Sequence, residues 1–200
     1  MISAYGVLPL QDFGLNENES TPETILALVL HAMLTSARIS HELAYKSLKR
    51  LIEVGYHNLD TLKKSTWEAR AEVLTKGGYT RYREKTATAL GELADFVENA
   101  ELENLLERAD SSPVQVRKLI GEIKGIGKVG TDVFFDTAQG VWPILASFID
   151  PRTLDTASNC GLGRDLNSLW KVVGKEPVEM CKLASALTTV RLDKKENEFE

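Results

Sequence analysis

An all-α fold of about ten helices is predicted for this 200-residue chain by three observations. Apolar residues recur at helical spacing in one segment after another. Starting signals (Ser, Thr, Asn or Asp, several followed by Pro) alternate with glycine stops. No stretch reads convincingly as a strand, and no internal repeat is visible.

Taken in order, residues 1–20 have weak periodicity and read as an irregular arm laid on the surface. Ser20-Thr21-Pro22-Glu23 combines a capping hydroxyl, a proline and an acid, so it starts a helix that runs to about Leu34. That helix is apolar on almost every side and is expected at the centre of the core. His31 lies within it and reads as a packed core histidine, with no second metal ligand at a suitable spacing. Ser40 caps a helix from His41 to Val54, and Gly55 stops it. Residues 58–63 and 65–74 read as two short helices, the second capped by Ser65. After the break at Lys76-Gly77-Gly78-Tyr79, Thr80 caps a long helix through Val97, and Leu102 to Leu106 reads as a helical turn.

Ser112-Pro113 opens an amphipathic segment that ends at Glu122 and runs into Lys124-Gly125-Ile126-Gly127; a second helical segment, Lys128 to Ala138, starts at once. Gln139-Gly140 ends it, and an apolar connection, Val141 to Ile149, leads to Asp150-Pro151. That pair starts a helix to about Cys160; two further helices span 165–173 and 176–191. The expected organisation is an arm (1–20), a helical domain (21–140) with a helical hairpin at about 114–138, a second helical part (141–192) and a charged, frayed tail (193–200).

Composition narrows the function. The formal net charge is −5, which counts against a generic polyanion binder. Nucleic-acid binding needs only a local basic face, however. Basic residues do cluster at 46–50, 76–85 and 117–128, while acids gather elsewhere. No apolar stretch approaches the ~20 residues of a membrane span, and no secretory signal is visible. Two cysteines, Cys160 and Cys181, fit a reducing compartment and are too few for a four-cysteine metal or cluster site. An intracellular protein without membrane, metal or cofactor is expected, in the nucleus if the cell has one and as a monomer.

Two glycines one residue apart permit a turn too tight for side chains. Such a turn leaves the first amides of the second helix unpaired and pointing outward, with the helix dipole adding positive charge. The turn can therefore hold a phosphate, and Lys124 and Lys128 flank it. An ordinary helical hairpin with a glycine cap is the alternative. Asp150, at the first turn of a later helix, reads alone as a capping residue.

The order of these features resembles the helix-hairpin-helix (HhH-GPD) DNA glycosylases of the endonuclease III type. The residues that carry the resemblance are Ile123, Gly125, Ile126 and Gly127 in the hairpin, then Thr137-Ala138-Gln139-Gly140, Trp142-Pro143, Asp150 and Gly161-Leu162. Ala32-Met33-Leu34-Thr35 and Gly77-Gly78-Tyr79 extend it upstream, so that it covers about residues 21–190. The resemblance implies two helical parts with a cleft between them, double-stranded DNA bound at the hairpin, and a target nucleotide flipped out of the stack. It gives Asp150 the catalytic role of stabilising positive charge on the sugar or orienting the attacking group.

Two departures from the family pattern belong to the same resemblance. The lysine that forms a Schiff base in bifunctional members corresponds to Val129 here, and Lys128 is turned away by roughly 100° on a helix. A monofunctional enzyme using water is therefore expected. The four-cysteine iron–sulfur loop of many relatives has no counterpart before Glu200. Met33 stands near the position whose side chain fills the vacated stack in relatives, with a core role as the alternative. Arg152 follows Asp150 by two places and reads as a partner of its carboxylate or of phosphate. Tyr79, Arg81 and Tyr82 form an aromatic and basic loop that reads either as a DNA contact or as packing under the long helix. A catalytically silent DNA- or protein-binding module is the alternative function, and a hairpin that only packs two helices is a third.

Overall fold

The computed structural model describes residues 1–16, 19–100, 105, 109 and 111–199, with the backbone alone at 99 and 100. The described residues form eleven α-helices and no strand. They are α1 (Ile2–Tyr5), α2 (Pro22–Thr35), α3 (His41–Glu53), α4 (Leu59–Lys64), α5 (Trp67–Lys76), α6 (Arg83–Ala100), α7 (Pro113–Glu122), α8 (Lys128–Ala138), α9 (Pro151–Asn159), α10 (Leu166–Val172) and α11 (Pro177–Asp193). The expected turn at Leu102 to Leu106 falls, apart from Leu105, outside the described residues. The chain divides into two compact units, one of residues 20–131 and one of 1–19 with 132–200; the division falls inside α8 rather than at residue 140.

In the unit of residues 20–131, α2 is the buried element. Thr21 caps it by accepting the Thr24 N–H at 3.1 Å, and Pro22 occupies the first turn. Ile25, Leu26, Ala27, Leu28, Val29 and Leu30 are all buried, so no face of this helix is left for solvent. Ser40, Asn58 and Thr66 cap α3, α4 and α5 in the same way. The cap of α5 is thus Thr66 and not Ser65, whose hydroxyl donates back to the Leu62 carbonyl. The long helix α6 begins at Arg83, three residues beyond Thr80.

Helix α3 packs on α2, α5 on α3, and α4 and α5 on α6. Arg70 ties the last of these contacts together: its Nε donates to the Ala87 carbonyl at 2.9 Å and its Nη1 to the Ser65 carbonyl at 3.0 Å. Gly91 makes room for this guanidinium, since a Cβ there would lie 2.7 Å from Arg70 Nη2.

The other unit is built round α11. Helices α1 and α9 pack against it. Its core gathers Ile149, Ala157, Leu169, Val173, Met180 and Leu187. Phe134 meets Trp142 edge-on at 5.7 Å and Phe135 meets Phe148 at 5.4 Å, which lays the 141–149 connection along α8. The first residues are more regular than an irregular arm: α1 docks on α11, and a Cβ at Gly6 would meet the Ile2 and Lys182 carbonyls at 2.6 and 3.0 Å. The tail is held as well, by the Tyr5 hydroxyl donating to Glu198 at 3.2 Å and the Tyr5 ring against Phe199.

Candidate functional site

The hairpin forms between α7 and α8. Helix α7 stops at Ile123, whose backbone is extended, and the Ile126 N–H donates back to the Ile123 carbonyl at 3.0 Å. Gly125 has φ +90°, a value that L side chains rarely adopt, and a Cβ there would lie 3.4–3.6 Å from Ala89 and Met33. Gly127 differs, because a Cβ there would meet nothing within 4 Å. The Thr131 N–H is the donor that returns to the Gly127 carbonyl, at 2.9 Å. The amides of Lys128, Val129 and Gly130 therefore precede the hydrogen-bonded ladder of α8. Gly127 and Lys128 are exposed, and Lys128 has no ion pair among the described residues. Lys124 is also exposed but pairs with Glu92. Val129 is 42% exposed. Gly130 is buried; a Cβ there would lie 2.9 Å from Ser36 Oγ.

Three residues expected at a DNA surface have buried side chains. Met33 is 5% exposed and packs on Gly125, which is the core role left open for it. Tyr79 is 3% exposed, its hydroxyl accepting from Thr86 at 3.0 Å, so it packs under α6. Ile126 anchors the turn from within, leaving only backbone of its neighbours to face outward. The correction has one cause: apolar and aromatic residues at helix ends are buried or exposed according to tertiary packing, which local sequence does not encode. Arg81 stays exposed, its guanidinium 5.1 Å from the centroid of the Tyr82 ring.

Asp150 caps α9. Its Oδ1 accepts the Arg152 N–H at 2.9 Å, its Oδ2 accepts the Thr153 hydroxyl, and Pro151 fills the first helical position. The Thr153 and Thr188 hydroxyls lie 3.2 Å apart, which makes Thr188 the donor in that pair. The Arg152 Nε is 3.7 Å from Oδ1 with most of its side chain in solvent. Asp150 as a whole is 7% exposed, so its carboxylate is held rather than free.

Beneath it lies a residue that sequence reading did not single out. Asp136 on α8 is buried, and its Oδ1 accepts the Asp150 main-chain N–H at 3.0 Å. Burial and the neighbouring Asp150 charge together push the Asp136 carboxyl well above the ordinary carboxylate range. One turn further on, Gln139 is fully buried. Its Nε2 donates to the Phe148 carbonyl at 2.9 Å, and its Oε1 accepts the Phe148 N–H at 3.1 Å. The available signal is an acid and an amide three places apart, following the apolar run Val133-Phe134-Phe135. Among the described residues no three His, Cys, Asp or Glu side chains are placed to hold a metal ion. No helix there is long and apolar enough to cross a membrane.

The chain matches no family model, no curated protein and no solved structure.

Proposed function

We propose that the chain is a monofunctional DNA glycosylase of base-excision repair, which hydrolyses the N-glycosidic bond of a damaged or mispaired base. The observation that carries this reading is the Asp150 carboxylate, an anion fixed by a main-chain amide and a hydroxyl before any substrate arrives. A preorganised anion beside an oxocarbenium-like sugar stabilises charge that develops only as the base departs. The exposed turn at Gly127 and Lys128, with the free amides of the first turn of α8, supplies a phosphate contact to duplex DNA. The target nucleotide is flipped out, because its glycosidic bond is out of reach in the stack. With Val129 in place of a lysine, water is the nucleophile and no covalent intermediate forms. The protein acts as a monomer inside the cell, in the nucleus where there is one.

A second reading is a helix-hairpin-helix module that binds DNA without cleaving anything. The near burial of Asp150, with both of its oxygens already accepting hydrogen bonds, favours it. Base release from duplexes carrying a panel of oxidised, alkylated, deaminated and mispaired bases separates the two. The glycosylase reading expects release of at least one, lost in Asp150→Asn with folding unchanged. Binding to every duplex with release from none supports the silent module. A covalent complex trapped by borohydride would overturn the water mechanism.

A further inference from the structure

Two buried polar side chains, one on α8 and one in the turn that ends it, grip the returning chain at two points. Asp136 holds the main-chain N–H of residue 150, and Gln139 holds both main-chain groups of residue 148. Three residues of helix rise by about 4.5 Å and two extended residues by about 6.6 Å. The spacings are close enough for both grips to hold when the chain runs back along the helix, and a slip of one residue would break both. Both side chains are buried, so a slip would take these donors from Asp136 Oδ1 and Gln139 Oε1 and leave Gln139 Nε2 with only the Asp136 carbonyl at 3.2 Å, losses that protein interiors tolerate poorly.

We propose that Asp136 is a positioning residue for Asp150, acting with Gln139 as a register lock that sets where the Asp150 carboxylate sits. The Asp136 carboxyl fixes the main chain of residue 150 from below, while Arg152 N–H and Thr153 fix its side chain from α9. The lock itself is independent of any activity; its consequence for catalysis rests on the glycosylase reading. A neutral carboxyl and a carboxamide have the same shape, and both accept through oxygen. Asparagine at 136 therefore keeps the grip, whereas alanine removes it.

The test compares wild type, Asp136→Asn and Asp136→Ala by amide hydrogen exchange and by single-turnover base release. In wild type and Asp136→Asn, the Asp150 amide should exchange at least about a hundredfold more slowly than amides of open loops. In Asp136→Ala it should exchange freely while the core amides of α2 stay protected. On a lesion that wild type processes, Asp136→Ala should lose roughly a hundredfold in rate at saturating DNA with little change in KM, and Asp136→Asn should restore it. No base release by wild type counts against the glycosylase reading alone, and the exchange data still decide the lock. An Asp150 amide that exchanges at loop rates in wild type or in Asp136→Asn overturns the lock, even if Asp136→Ala does not fold. Persistent protection of that amide in a folded Asp136→Ala overturns it equally.

Discussion

Asp136 is a carboxyl group whose folded environment favours its neutral form, through burial first and the Asp150 charge second. By linkage, its contribution to stability is complete below the unfolded value of about 4 and is lost as pH rises toward the elevated folded value. Asp136→Asn has the hydrogen bond but no proton to lose. The variant should therefore gain stability relative to wild type as pH rises from 4 toward neutrality; parallel urea-denaturation profiles over that range would refute the assignment. His31 works in the opposite direction. Burial, then the charge of His41, lowers its pKa to about 4, and its Nδ1 is buried without a hydrogen-bond partner. Stability from a neutral His31 is present above pH 6.5 and fades as pH falls toward 4, by up to about 3 kcal/mol. His31→Leu should flatten the acid limb of the same profiles, and an unchanged limb would show that another group carries it.

At the scale of elements, caps and glycines decide where helices start and how closely they cross. Thr66→Ala should cost about 1 kcal/mol through the lost α5 cap, whereas Ser65→Ala should leave that cap intact. Thermal melts of the two variants would distinguish them, and equal losses would contradict the observed cap. Gly91→Ala should destabilise by about 1–3 kcal/mol, since the methyl group meets the Arg70 guanidinium that joins α5 to α6. These elements also show what sequence reveals. The order and approximate extent of α2, α3, α7, α8 and α9 are legible because apolar spacing agrees with a cap residue at α2, α3 and α9, with Pro113 at α7 and with the glycine turn before α8. The α5 start shifts by one residue because Ser65 and Thr66 can both cap, and only the phase of packing chooses between them. The α6 start moves past Thr80 because the glycine break continues through a turn before the helix. The pairing of Asp136 with Asp150 was illegible for a different reason: it joins positions fourteen residues apart through a connection whose path only the fold defines.

For the molecule as a whole, a net charge of −5 coexists with three basic clusters, in each of which an acid pairs with at least one cation. Lys46 pairs with Glu42, Arg50 with Glu53, Lys76 with Glu72 and Lys124 with Glu92, all at the surface. Exposed cations outside these pairs, Lys128 among them, are left to displace counterions from a duplex, so binding should weaken as salt rises. Lys128→Glu should weaken it across sequences and reduce the slope of log K against log salt by about one. Fluorescence anisotropy at several salt concentrations would measure this, and an unaltered slope would remove Lys128 from the contact.

The empty volume beside Gly127 has a practical meaning. Nothing inside the protein demands that this position lack a side chain, whereas Gly125 is constrained by its backbone angle. Alanine at 125 should lower the melting temperature, and alanine at 127 should leave it nearly where it was. A methyl group at 127 would thus be an obstacle only to a visitor from outside, and the substitution separates recognition from folding in a single atom.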